Sequence, residues 1–172
     1  KIIPKNNKLL IGIAPFAAHK GKEYPLVQIK EVIKELNQDF NIILFGGGKK
    51  EELILDEIAG KYINVVNLAN KYSLDQEMDV ISNLSIMLSM DSANGHIAAS
   101  LGIKVLSIWG VTHPFAGFGP YGQQDQNNIL ADRSKYPKIP TSIYGEKLPK
   151  GYENAISSIS SVEIISALRT SI

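Results

Sequence analysis

Short apolar runs alternate along the chain with longer stretches whose apolar residues recur every three or four positions, the pattern of a parallel sheet covered by helices on both faces. Residues 9–14 read as the first strand. The helix after it opens with Pro25 at a first-turn position, where a missing amide N–H costs nothing, and carries Leu26, Ile29, Ile33 and Leu36 on one face. Residues 41–45 form the next strand, 49–60 a helix stopped by Gly60, and 63–68 a third strand. Ser73 and Gln76 stand at capping-box spacing at the start of a helix over 73–83. Strands at 86–90 and 104–109 follow, with a sixth at 128–131. A long loop occupies 132–159, rich in Pro, Gly and Tyr over 135–152, and Ser160 with Glu163 caps a last helix over 160–170. The expected fold is α/β, three layers around a parallel sheet.

In such sheets ligands bind beyond the C-terminal strand ends, so the loops after the strands hold the candidate chemistry. The richest is Asp91-Ser92-Ala93-Asn94-Gly95-His96, between a strand and the small-residue segment Ile97-Ala98-Ala99. It reads as a turn into a helix whose free N–H groups can hold a phosphate, with alanines that let the helix pack close to the sheet. Alternatively, Ser92 is a plain N-cap and His96 a satisfied, partly buried histidine.

The loop after the first strand, Phe16-Ala17-Ala18-His19-Lys20-Gly21-Lys22-Glu23, is a flexible basic segment leading to a helix start. Its lysines can neutralise a phosphate, or the loop is simply a solvated charged one. Phe45-Gly46-Gly47-Gly48 lacks the spacing of a P-loop and of Gly-x-Gly-x-x-Gly, so its glycines serve a tight turn or close approach. Glu51 or Glu52 beyond it can accept hydrogen bonds from ribose hydroxyls or merely meet the helix dipole. Tyr72, in Leu68-Ala69-Asn70-Lys71-Tyr72, can contact a base.

Composition narrows the function classes. A chain of 172 residues, 44% apolar and 20% charged, suits one ordinary domain with its own core. A net charge of +1 gives no broad basic field, which argues against a nucleic-acid binder but leaves small anionic ligands open. With no cysteine there is no disulfide framework or thiolate metal site. No apolar run approaches the roughly 20 residues of a membrane span. The histidines, His19, His96 and His113, are not at metalloprotease spacing, and no metal site is expected; no nucleophile elbow is present either. The start, without an initiator Met, reads as a linker over 1–8 into the first strand, as expected of part of a longer protein.

Together, Lys22-Glu23-Tyr24-Pro25, Phe45-Gly46-Gly47 followed by Glu51, Asn67-Leu68-Ala69 before Ser73-Leu74, Asp91-Ser92-x-x-x-His96-x-Ala98-Ala99-x-Leu101-Gly102 and Trp109-Gly110-x-Thr112 resemble the ADP-heptose:lipopolysaccharide heptosyltransferase family, also known as glycosyltransferase family 9. Order and spacing match over residues 9–120. The resemblance implies the Rossmann-like C-terminal half of a GT-B glycosyltransferase, with 1–172 as one nucleotide-sugar donor domain and an N-terminal acceptor domain outside the chain. Even residues 142–152 resemble a branch of the family that usually carries cysteines there.

By position, the resemblance places Lys22 on the donor diphosphate, Glu51 near the ribose, Tyr72 or Lys71 near adenine and Asp91 at the donor sugar. Ser92, the Ala93 amide and His96 would face the phosphates. The family usually has Gly where this chain has Ala93, and a required positive φ or very close approach by pyrophosphate would be costly there. Lys22, Asp91 and His96 are the expected catalytic residues, in a metal-independent inverting transfer of heptose from ADP-heptose to a lipid-linked saccharide, without a cofactor. The implied setting is cytoplasmic, peripheral at the inner face of a bacterial inner membrane. Two alternatives stay open: another GT-B-like enzyme such as a sugar-nucleotide epimerase, which a uridine preference would mark, and a non-catalytic sugar-nucleotide-binding module.

Overall fold

The computed structural model describes residues 6–172; residues 1–5 of the expected linker lie outside them. Six strands, β1 (Leu10–Ala14), β2 (Asn41–Leu44), β3 (Val65–Asn67), β4 (Ile86–Met90), β5 (Val105–Trp109) and β6 (Asn128–Leu130), form one parallel sheet in the order β3-β2-β1-β4-β5-β6. Helices α1 (Leu26–Leu36), α2 (Gly48–Ala59), α3 (Leu74–Ile81), α4 (Ala93–Ser100) and α5 (Ser161–Ser171) cover it. None of the helices among the described residues is long and apolar enough to cross a membrane.

The strands are buried on both faces, and their two-residue period sorts side chains between two cores. Ile42 and Leu44 join Ile11, Ile13, Ile86 and Leu88 beneath α1, α2 and α5. Ile43 and Phe45 turn the other way, joining Met87, Val105 and the buried residues of α3 and α4, among them Ala98 and Ala99. The expected elements are therefore present, most with shorter ends, while β4 matches and α2 and α5 are shifted by one residue. Ile63 is 94% exposed and stands outside β3, because residues 61–62 close a turn on the end of α2 through bonds from Lys61 N to Ile58 O and from Tyr62 N to Ala59 O. The basic loop after β1 contains an ordered 3-10 turn, Lys20–Lys22, with Gly21 buried.

Residues 132–159 are irregular apart from a 3-10 turn at Ile156–Ser158, yet they pack. Ile139 and Ala155 form a small core with Val111 and Ala131, flanked by Tyr136, Leu148 and Tyr152, so the loop folds back over the end of β5. Ser160 then caps α5 by accepting from Glu163 N at 3.1 Å, as its spacing predicts.

At the start of α1, fully buried Tyr24 donates its hydroxyl to Ile159 O at 2.7 Å, and burial raises its pKa above the ordinary phenol value. Gln28 Nε2 donates to the same carbonyl at 3.1 Å, tying the segment before α5 to α1. Tyr24→Phe should remove about 1 kcal/mol of stability, since one buried carbonyl loses its stronger donor while Gln28 remains. Urea unfolding should show a lower midpoint at unchanged slope.

Candidate functional site

The sheet order reverses between β1 and β4, which run side by side although β2, β3 and their helices intervene in sequence. At that point, beyond the C-terminal strand ends, lies a cavity of about 520 Å³. It is lined by Phe16, Ala17, Ala18 and Lys22 after β1, by Phe45, Gly46, Gly47 and Glu51 after β2, by Asp91, Ser92, Ala93, Asn94 and His96 after β4, and by Phe118. Sequence reasoning had assembled Lys22, Glu51, Asp91, Ser92, Ala93 and His96; the fold brings all six to this one cavity. Tyr72 does not line it and stands exposed in the loop before α3.

Lys22 Nζ lies 2.9 Å from Asp91 Oδ2, and the two side chains are only 12% and 7% exposed. Thr112 Oγ1 donates to the same oxygen at 2.9 Å. Both bonds thus fall on Oδ2. A carboxylate taken out of water needs such partners, and here a cation and a hydroxyl supply them. Lys22 reaches Asp91 because Gly110 lets the β1 and β5 loops touch: Val111 N donates to Gly21 O at 3.1 Å, and a Cβ on Gly110 would overlap that carbonyl oxygen.

After β4 the chain turns directly into α4, with Ser92 at the N-cap. Its hydroxyl does not cap the helix; it lies 3.2 Å from Ser89 Oγ. Side chains therefore leave the first-turn N–H groups of α4 uncapped beside the cavity, where partial positive charge concentrates. His96 is exposed on the cavity wall rather than buried. Ala93 is not among the positive-φ residues; of the described non-glycine residues only Asn70 is. The strain that would follow from a left-handed conformation at position 93 is absent.

The two glutamates are placed differently. Glu51 lines the cavity and folds back, its Oε2 accepting from Gly47 N at 2.7 Å. Glu52 points away, bonded to Lys49 at 3.0 Å and to Asn70 at 2.9 Å, and these bonds lower its pKa. Lys71 pairs with Asp56 outside the cavity. His113 also lies elsewhere: its Nδ1 accepts from Phe115 N at 3.2 Å, and burial with nearby Arg133 lowers its pKa. Thr112, Phe16 and Phe118 carry no role in the sequence reading. Thr112 had a usable signal, since β4 and β5 are neighbours and a hydroxyl soon after β5 falls beside a carboxylate directly after β4.

Residues 3–147 match glycosyltransferase family 9 (heptosyltransferase). Over 141 residues the chain is 28% identical to lipooligosaccharide heptosyltransferase 2 of Campylobacter jejuni, covering 79% of this chain and 44% of that protein. It is similar in fold to the Escherichia coli ADP-heptose lps heptosyltransferase II, with a TM-score of 0.74 at 20% identity over 97% of this chain and 47% of the other. The E. coli heptosyltransferase WaaC with ADP gives 0.73 at 19% identity, over 99% and 46%. The chain spans about half the length of the proteins it matches.

The ion pair has a stability consequence independent of any ligand. Asp91→Ala, which strands Lys22 in a largely buried setting, should cost about 3 kcal/mol in urea unfolding, and adding Lys22→Met should recover a large part of that loss.

Proposed function

The chain belongs to glycosyltransferase family 9, and from that premise we propose that it is the donor-binding half of an inverting glycosyltransferase that moves heptose from ADP-heptose to a lipopolysaccharide core acceptor. The observation that carries the reading is the Lys22 ammonium, fixed on Asp91 beside the open N-terminus of α4 in one cavity. A diphosphate seated there meets a cation, unpaired helix amides and the exposed imidazole of His96. The relatives whose names mention ADP-heptose or ADP support the choice of donor.

In the proposed reaction an acceptor hydroxyl attacks the anomeric carbon from the face opposite the diphosphate. The bond from that carbon to the phosphate oxygen breaks, and ADP leaves with the bonding electrons. Negative charge grows on the diphosphate as this happens. Lys22 and the α4 amides are already oriented toward it, and such preorganised donors are worth about 3 kcal/mol each in comparable sites. Because these groups supply positive charge themselves, the transfer proceeds without a metal ion.

Asp91 Oδ2 is occupied by Lys22 and Thr112, which leaves Oδ1 to reach the sugar. Glu51, with Oε2 on Gly47, offers Oε1 to the ribose. The base then extends toward residues 68–72, which adjoin α2 through the Asn70–Glu52 bond and include Tyr72. Acceptor binding and the base that takes the hydroxyl proton belong to the other half of the protein, working at the cytoplasmic face of a bacterial inner membrane. This chain binds donor without completing transfer.

Calorimetric titration with ADP and UDP, in EDTA and then in magnesium, tests the reading. ADP should bind in EDTA and bind more tightly than UDP; Lys22→Ala and His96→Ala should each weaken it about tenfold or more, equal to about 1.4 kcal/mol. A preference for UDP would move the protein toward another sugar-nucleotide enzyme, and binding that appears only with magnesium would overturn the metal-independent part.

A further inference from the structure

Lys22 is held by more than its charge partner. Its aliphatic stem runs beneath Gly145, in the long loop more than a hundred residues away. A Cβ on Gly145 would stand 2.8 Å from Lys22 Cγ, 2.5 Å from Lys22 Cδ and 3.0 Å from Thr112 Cγ2, and its φ of +79° favours glycine independently. The turn carrying Gly145 is closed by Ser142, whose Oγ accepts from Gly145 N at 3.1 Å and from Lys147 N at 3.2 Å and donates to Glu146 Oε2 at 2.9 Å. The turn is also tied to the segment that carries Thr112, through Thr141 N donating to Val111 O at 2.9 Å.

Four chain segments thus converge around Lys22: Lys22 itself follows β1, Asp91 directly follows β4 and holds the ammonium, Thr112 follows β5 and holds the Asp91 carboxylate, and Gly145 closes over the aliphatic stem. A lysine free in water loses considerable side-chain freedom when it binds a phosphate. Here that freedom is removed in advance, and an ammonium with three donors keeps two N–H groups after bonding Asp91.

We propose that Thr112 and the 142–147 turn are positioning elements for the diphosphate site: Thr112 fixes the Asp91 carboxylate, Gly145 straps the Lys22 stem, and together they set how tightly a nucleoside diphosphate is held. The proposal rests on Lys22 being the diphosphate ligand. Its consequence is that a segment outside the cavity wall, without a charged contact to the ligand, controls affinity through Lys22.

Two measurements on the chain separate the outcomes. The first needs no ligand: acylation of each lysine by an N-hydroxysuccinimide ester of acetic acid, mapped by peptide mass, with exposed Lys150 as the internal reference. Thr112→Val and Gly145→Ala should each speed acylation of Lys22 several-fold relative to Lys150, whereas Thr112→Ser should keep it slow. The second is ADP affinity by calorimetry. Thr112→Val and Gly145→Ala should weaken ADP about tenfold, Thr112→Ser should restore it, and neither should weaken it further once Lys22→Ala is present.

If Lys22→Ala weakens ADP while Thr112→Val and Gly145→Ala do not, the positioning proposal is wrong and the donor-site reading stands. If Lys22→Ala itself leaves ADP affinity unchanged, the donor-site reading fails and takes the proposal with it. Faster acylation of Lys22 with unchanged ADP affinity would also overturn the proposal, by showing that the strap holds the lysine without governing the ligand. Because the two variants lie on separate segments, misfolding of one leaves the other to decide.

Discussion

A buried carboxylate organises this molecule. Asp91 directly follows the central strand β4 in a position from which water is largely excluded, and its charge is tolerable only because Lys22 and Thr112 converge on Oδ2. Removing either ion from water costs several kcal/mol, so such a pair is weak evidence of optimised stability. On the proposed function it is a cost carried for the ligand: apolar residues would fill the same space more cheaply, but would leave no cation at the mouth of the sheet. The surrounding architecture serves to keep that cation in place. Gly110 lets two loops touch, and the packed loop over 132–159 closes above them.

The sheet topology determines why this happens here. Between β1 and β4 the chain order reverses, so the loops on either side part and open a crevice. β4 delivers Asp91 to the floor of that crevice and the chain turns at once into α4, whose first amides face the same space. Lys22 is paired with Asp91 and Glu51 lines the same cavity, so what this point offers an anion is a set of local donors, the Lys22 ammonium and the first amides of α4, in a chain whose net charge is only +1. The bulk charge therefore says little about the ligand. What matters is that few charged groups are gathered at the point where, among the described strands, the sheet order reverses.

The sequence made the sheet legible because strands buried on both faces leave continuous apolar runs, and helices on a sheet leave a period near 3.6. It misled at Ile63, since apolar character marks a residue that is able to be buried, while the turn geometry after α2 decides whether it is. Glu51, Asp91, Ser92, Ala93 and His96 meet in the cavity because each lies directly after a strand or in the first turns of the following helix, where the topology alone predicts the meeting place, while Lys22 joins them from the 3-10 turn Lys20–Lys22 inside the loop after β1. Tyr72 sits farther along its loop, and its position depends on the turn at Asn70, a positive-φ residue that no periodicity reveals. Gly145 escaped because its importance lies in its contact with Lys22, and nothing local in the chain encodes a contact between residues 22 and 145, while the only signal for Thr112 was the pairing of β4 with β5.

Ala93, the position where the resemblance leads one to expect glycine, takes a different meaning from the structure. Two penalties were conceivable: backbone strain, and a methyl group obstructing the phosphate. The first disappears, because residue 93 starts α4 without a positive φ. The second is limited by geometry, since the groups that would hold an anion are backbone N–H groups, which alanine retains, and the side chain is exposed to an open cavity rather than wedged against protein. An anion then has to approach past one methyl on one side while Lys22 and His96 remain accessible on others. On the proposed function, the substitution changes how closely a diphosphate would nestle against the helix and leaves the backbone amides and Lys22 in place.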